Sequence, residues 1–150
     1  MARGGDGGGL DVLVLISGPG ADPVYATTGA AGADLRAYLP TAVSLAAQSQ
    51  ALIPTGIFVA IPEGYVGDIR GRSGLALHHR LRVHPGTIDS DYRGEIQVLI
   101  ENGSDIAFTV EPGARIAQLV IHPVAKAAFA RAPLGETDRQ DGGFGHTGRD

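Results

Sequence analysis

An all-β domain, a single barrel or sandwich, is the fold this sequence predicts, on three observations. Short apolar or alternating runs recur from residue 10 to about residue 124. Gly, Pro, Asn and Asp break those runs at regular spacing, and only residues 73–79 suggest a helical turn.

The runs expected as strands, in order, are 12–16, 35–38, 51–53, 57–61, 65–70, 81–83, 96–101, 107–110 and 116–122. Between them, Pro54-Thr55-Gly56, Pro62-Glu63-Gly64, Asn102-Gly103 and Pro112-Gly113 place turn-forming residues, and each is expected to be a turn. Residues 1–9 are too rich in Gly to pack and are expected to be a disordered start. Residues 10–131 form the barrel. After Arg131 only Leu134 and Phe144 are sizeable apolar groups, so residues 132–150 are expected to be a flexible arm that cannot fold alone.

At 150 residues the chain has the size of one domain and needs no staple to close a core. Hydrophobic residues make up 43% but aromatics only 5%, with no Trp, so that core must be aliphatic. Cysteine is absent, which removes disulfides and thiolate zinc sites. The cytoplasm is the expected compartment. A formal net charge of -4 argues against binding to nucleic acid, which needs a clustered excess of cations. No apolar run approaches a membrane span, so no membrane contact is expected. All 12 basic residues except Lys126 are Arg, whose rigid fork suits phosphate or carboxylate.

Four polar clusters interrupt the expected strands, and a fifth lies in the tail. The first is Ala30-Ala31-Gly32-Ala33-Asp34-Leu35. In the second, Gly71-Arg72-Ser73-Gly74-Leu75-Ala76, an Arg, a hydroxyl and bare backbone N–H groups stand together at a strand end, where they can surround a phosphate chain. The third is the ten-residue string Gly86-Thr87-Ile88-Asp89-Ser90-Asp91-Tyr92-Arg93-Gly94-Glu95. A carboxylate within hydrogen-bond reach of a water can take its proton during attack on phosphorus. The fourth is Gly113-Ala114-Arg115-Ile116-Ala117-Gln118-Leu119, and the tail carries Arg139-Gln140-Asp141-Gly142-Gly143-Phe144-Gly145-His146-Thr147-Gly148. His78, His79 and His84 lack zinc-site spacing and are read as surface or packing residues.

In order and separation these clusters resemble the motifs of the deoxyuridine triphosphatase family, from about Tyr25 to Gly148. The resemblance implies a jelly-roll barrel and a homotrimer with dUTP sites between subunits, the tail of a third chain closing each one. It implies Mg²⁺ as cofactor and hydrolysis to dUMP and pyrophosphate, which limits uracil in DNA and supplies dUMP for thymidylate synthesis. Asp89 would activate the water that attacks the α-phosphorus in line. Asp34 would hold the metal through water. Arg72, Ser73, Gly74 and Gln118 would contact phosphate, and Tyr92 would pack where a 2′-hydroxyl would collide. Residues 81–85 would form a hairpin whose main chain reads uracil near His84, Pro85, Gly86, Thr87 and Ile88. From the arm, Arg139, Phe144, Gly145, His146 and Thr147 would close over the nucleotide.

The chain departs from the family pattern at Gly71 for Pro, Ala114 for Asp, Gln140 for Gly and His146 for Ser. Ala114 removes the acid that would pair with Arg115. The related dCTP deaminase shares the Arg-Ser loop but not the Asp-Tyr hairpin, and a nucleotide-binding relative without catalysis would not need both Asp89 and Arg139.

Overall fold

The computed structural model describes residues 11–143. The expected start at residues 1–9 lies outside the described residues, as do Phe144, Gly145, His146 and Thr147 of the arm.

Ten strands and one short helix follow in the order β1 (Leu15–Ser17), β2 (Ala33–Arg36), β3 (Val43–Leu45), β4 (Ser49–Ala60), β5 (Tyr65–Arg70), α1 (Ser73–His79), β6 (Leu81–Val83), β7 (Gly86–Ile88), β8 (Glu95–Asn102), β9 (Phe108–Val110) and β10 (Arg115–Pro123). They form one four-stranded sheet ordered β1-β4-β8-β6, a second ordered β2-β10-β5-β7, and a β3-β9 ribbon, with antiparallel pairing throughout. Alternation places Ile53, Ile57, Val98 and Ile100 from the first sheet against Leu35, Ile69, Ala117 and Leu119 from the second in one core. Every buried hydrophobic residue described is Ala, Val, Ile or Leu, as the scarcity of aromatics requires. No helix among the described residues is long and apolar enough to cross a membrane.

Two local expectations are corrected. Pro54-Thr55-Gly56 is not a turn but a bulge inside the continuous 12-residue strand β4, where the register with β8 shifts between Pro54 and Ile57. Buried Thr55 donates from Oγ1 to the Ile96 carbonyl at 2.6 Å and accepts from Ile57 N at 3.2 Å. Gly56, at φ 66, donates its N–H to Glu95 Oε1 at 2.8 Å. Bulge and turn draw on the same residue types, and only the partners on β8 separate them.

Residues 81–85 do not form a hairpin either. β6 pairs with β8 in the first sheet, whereas β7 pairs with β5 in the second, so His84 and Pro85 carry the chain from one sheet to the other. β3 and β7 were not expected as strands at all. The helical turn falls where expected, buries no residue, and ends on Arg80 in the left-handed region at φ 54.

On the outer face of the second sheet, His122 donates from Nε2 to Asp68 Oδ2 at 2.8 Å, and Arg70 donates to the same oxygen at 3.2 Å. The His122 hydrogen bond, with help from Arg70, holds the Asp68 carboxyl below its ordinary value of 3.8. Its bond to Asp68, and then its Nδ1 contact with the Pro123 carbonyl, raise His122 above its ordinary 6.5. The pair's contribution to stability is therefore complete between those two ordinary values. It is lost as pH rises through the raised His122 value, and again as pH falls through the lowered Asp68 value. His122→Ala should thus lower the thermal midpoint most near about pH 5 and least near about pH 9. A midpoint difference that does not change with pH would contradict the pairing.

Candidate active site

The first cluster is built around a buried acid. Asp34 lies on β2, is 6% exposed, and is fixed by a backbone bond from its N–H to the Val24 carbonyl at 2.8 Å. Such a carboxylate needs its charge answered nearby. Arg72 Nε lies 3.4 Å from Oδ1, Arg115 NH1 donates to Oδ2 at 3.1 Å, and Gln118 Nε2 donates to Oδ1 at 3.4 Å. Gly32 makes room for this, because a Cβ there would stand 3.0 Å from Gln118 Cβ.

Arg72 also reaches across to the Arg115 carbonyl at 3.2 Å, which ties the loop before α1 to the start of β10. Two of the five guanidinium donors have these partners, and among the described residues the rest have none. Exposed Ser73 and Gly74 stand beside it, and with Gln118, His78 and His79 they line a cavity of about 300 Å³. His79 itself packs against Phe108, with ring centroids 5.0 Å apart. Thus the first, second and fourth clusters, which supply Asp34, Arg72, Ser73, Gly74 and Gln118, come together. Sequence reading missed Arg115: Ala114 leaves it without a neighbouring acid, but Asp34 supplies one from β2.

The third cluster is elsewhere. Thr87 and Ile88 belong to β7, and Ile88 turns its side chain into the core, leaving only main chain for a ligand. Beyond it, a turn closes with Tyr92 N donating to the Asp89 carbonyl at 3.1 Å, and Arg93 NH1 donates to the Ser90 and Tyr92 carbonyls at 2.8 Å each. Tyr92 is half exposed. Its hydroxyl donates to the Glu95 carbonyl at 2.9 Å, and its ring lies over Gly94, where a Cβ would come within 2.4 Å of the phenolic oxygen. The ring is held while part of it stays exposed. Asp89 is exposed, its carboxylate accepts no hydrogen bond among the described residues, and it lines a cavity of about 1060 Å³ with Thr87, Ser90 and Asp91.

The register measures how far apart the two clusters lie. Asp34, Gln118 and Arg70 form one row across β2, β10 and β5. Asp89 follows Ile88, the partner of Gly67, so it falls beside Val66, four residues along β5 from Arg70 and three strands away from β2. At ~4.8 Å between strands and ~3.3 Å per residue, Asp34 and Asp89 are roughly 19 Å apart. One chain does not bring them to one phosphate. Arg139 lies in a local turn on the exposed tail, donating from Nε to the Gly142 carbonyl at 2.8 Å.

No group of three His, Asp or Glu gathers as a metal cage among the described residues. Both Asp34 oxygens face cationic or amide donors, so the site fits a metal held through water better than one gripped directly. Mg²⁺ has that habit, keeping several waters and taking its direct ligands from substrate phosphates.

Residues 19–148 match the family described as dUTPase. The deoxyuridine 5′-triphosphate nucleotidohydrolase of Chlamydia pneumoniae is 52% identical over 143 residues, covering 93% of this chain and 99% of the relative. That of Roseobacter denitrificans is 54% identical, covering 85% and 87%. Among solved structures, a mutant dUTPase of Staphylococcus bacteriophage 80alpha with dUpNHpp superposes with a TM-score of 0.84 at 26% identity, over 91% of this chain and 99% of that one. The match spans the jelly-roll-like barrel and both clusters, so the chain belongs to the dUTPase family of hydrolases.

Proposed function

We propose that the chain hydrolyses dUTP to dUMP and pyrophosphate, with Mg²⁺, in a homotrimer whose sites form between subunits. The carrying observation is the roughly 19 Å between Asp89 and the Asp34–Arg72–Gln118 cluster on one chain, set by strand spacing and rise. Each half is complete in itself, and a symmetric assembly can bring the Asp89 turn of one copy to the phosphate cluster of another. Exposed apolar groups support assembly: Phe129 is 97% and Leu134 95% exposed on a segment, residues 124–137, without helix or strand.

In this reading Arg72, Ser73, the Gly74 N–H and Gln118 bind the triphosphate. Asp34, already oriented by two arginines, would hold the metal through water. Bound Mg²⁺ would supply positive charge against the charge that develops on the phosphoryl oxygens. The Asp89 carboxylate has no hydrogen-bond partner among the described residues, so it can accept a proton from the attacking water and align that water with the α-phosphorus. Tyr92, braced by Gly94 and the Glu95 carbonyl, leaves no room for a 2′-hydroxyl. The main chain of His84, Pro85, Gly86, Thr87 and Ile88 reads uracil, since a wrong base would leave polar groups unpaired. Arg139, Phe144, Gly145, His146 and Thr147 close over the nucleotide from a third chain, and ordering that arm helps only when substrate supplies partners. The 80alpha relative with dUpNHpp supports the ligand class. The reaction would take place in the cytoplasm, where it limits uracil in DNA and supplies dUMP for thymidylate synthesis.

A panel of dUTP, dCTP, dTTP and UTP tests the reading. Pyrophosphate should leave dUTP roughly 100-fold faster than the others. Ammonia from dCTP, or no turnover of dUTP, would overturn it. Asp89→Asn should cut turnover by about 10²–10⁴-fold while leaving nucleotide affinity within about tenfold, because an amide can hold the water but cannot take its proton. A loss below about tenfold would remove Asp89 as the base.

A further inference from the structure

Where the chain passes between sheets, its anchorage is unusual. His84 N donates to the Leu99 carbonyl at 2.9 Å, the last bond of the β6-β8 ladder, and Pro85 has no N–H with which to continue it. Pairing resumes only at Gly86, opposite Ile69 on β5. The peptide groups between these points are the ones assigned above to base recognition, so their direction depends on how His84 is held.

A side-chain contact holds it a second time. His84 Nε2 lies 3.1 Å from Glu101 Oε2 on β8, two residues beyond Leu99. A carboxylate only accepts, so Nε2 carries the hydrogen whether the imidazole is neutral or charged. The groups facing this contact are Arg82 on β6, whose NH1 is 3.8 Å from Glu101 Oε2, and uncharged Gln50 on β4, which pairs with Glu101 in register. His84 and Glu101 are each about one-third exposed, and at such exposure the contact adds little to global stability. Its direct consequence is local, fixing the imidazole and with it the plane of the peptide that leads into Pro85.

We propose that Glu101 is a positioning residue for uracil binding: through His84 it orients the sheet-crossing main chain that reads the base. This rests on the dUTPase reading above. Neither residue needs to touch the phosphates, so the effect belongs to the base end of the nucleotide.

The test measures dUMP and inorganic pyrophosphate binding by calorimetry, alongside dUTP turnover. Glu101→Ala should weaken dUMP binding and raise KM for dUTP by about tenfold, leaving kcat and pyrophosphate affinity within about twofold. Glu101→Gln keeps an acceptor for Nε2–H and should restore dUMP affinity to within about threefold of wild type. His84→Ala should cause a similar loss, and adding it to Glu101→Ala should cost nothing further, because both variants break one contact. Gln50→Ala, across the strand from Glu101, should change none of these values. Unchanged dUMP affinity in Glu101→Ala, a loss confined to kcat, or additive losses in the double variant would each overturn the proposal. The binding arm is decisive without turnover, so a chain that failed to hydrolyse dUTP would contradict the activity and not this contact.

Discussion

A carboxylate removed from water has to find its counter-charge inside the protein, and Asp34 finds two guanidiniums from well-separated parts of the sequence. Arg72 reaches it from the loop before α1 and Arg115 from the start of β10, 81 residues away along the chain. The demand is strict, because a buried charge stripped of its partners destabilises far more than an exposed one. By meeting it, β2, β10 and the Arg72 loop are locked into one cluster. Ser73, Gly74 and Gln118 are carried into place beside it, so what holds this end of the second sheet also presents the proposed phosphate-binding surface.

The same sheet keeps the proposed base away from that surface. Pairing of β7 on the far side of β5 sets Asp89 three strands from Asp34, and antiparallel register adds four residues of rise. Side-chain rotation cannot close such a gap, nor can the Asp89 turn move freely, since Arg93 grips two of its carbonyls. The two halves can act together only if a second copy supplies one of them. The proposed chemistry therefore depends on the proposed assembly.

How much of this could be read from the sequence depended on whether a signal was local. Gly and Pro marked the ends of β5, β8 and β10 within a residue or two, because Pro fixes φ and Gly admits the positive φ that turns need wherever they occur. They misled at Pro54-Thr55-Gly56, where the same residues make a bulge whose identity rests on the Ile96 carbonyl and Glu95, about 40 residues distant. Two of the three-residue strands, β3 and β7, were missed, since three residues are too few to establish a period of two; β6, equally short, was expected from the alternation Leu81-Arg82-Val83. Which sheet a strand joins is also non-local, so residues 81–85 looked like a hairpin. The site residues were legible as types, since Arg72, Asp89 and Tyr92 sit in strings that resemble a family, but their distribution over the sheet was not. Arg115 was read as lacking a partner because the sought acid was its neighbour; Asp34 replaces that acid from across the strand.

The central claim is that catalysis needs Asp89 from one copy and the Arg72 cluster from another. Two variants, Asp89→Asn and Arg72→Ala, should each be nearly inactive alone. Mixed in equal amounts, exchanged between assemblies, and shown by native mass spectrometry to form hybrids, they should recover roughly a quarter of the wild-type rate per site, the fraction of sites that draws both intact halves in a closed symmetric ring. No recovery above the two parents in confirmed hybrids would contradict an intersubunit site and return both residues to a single chain.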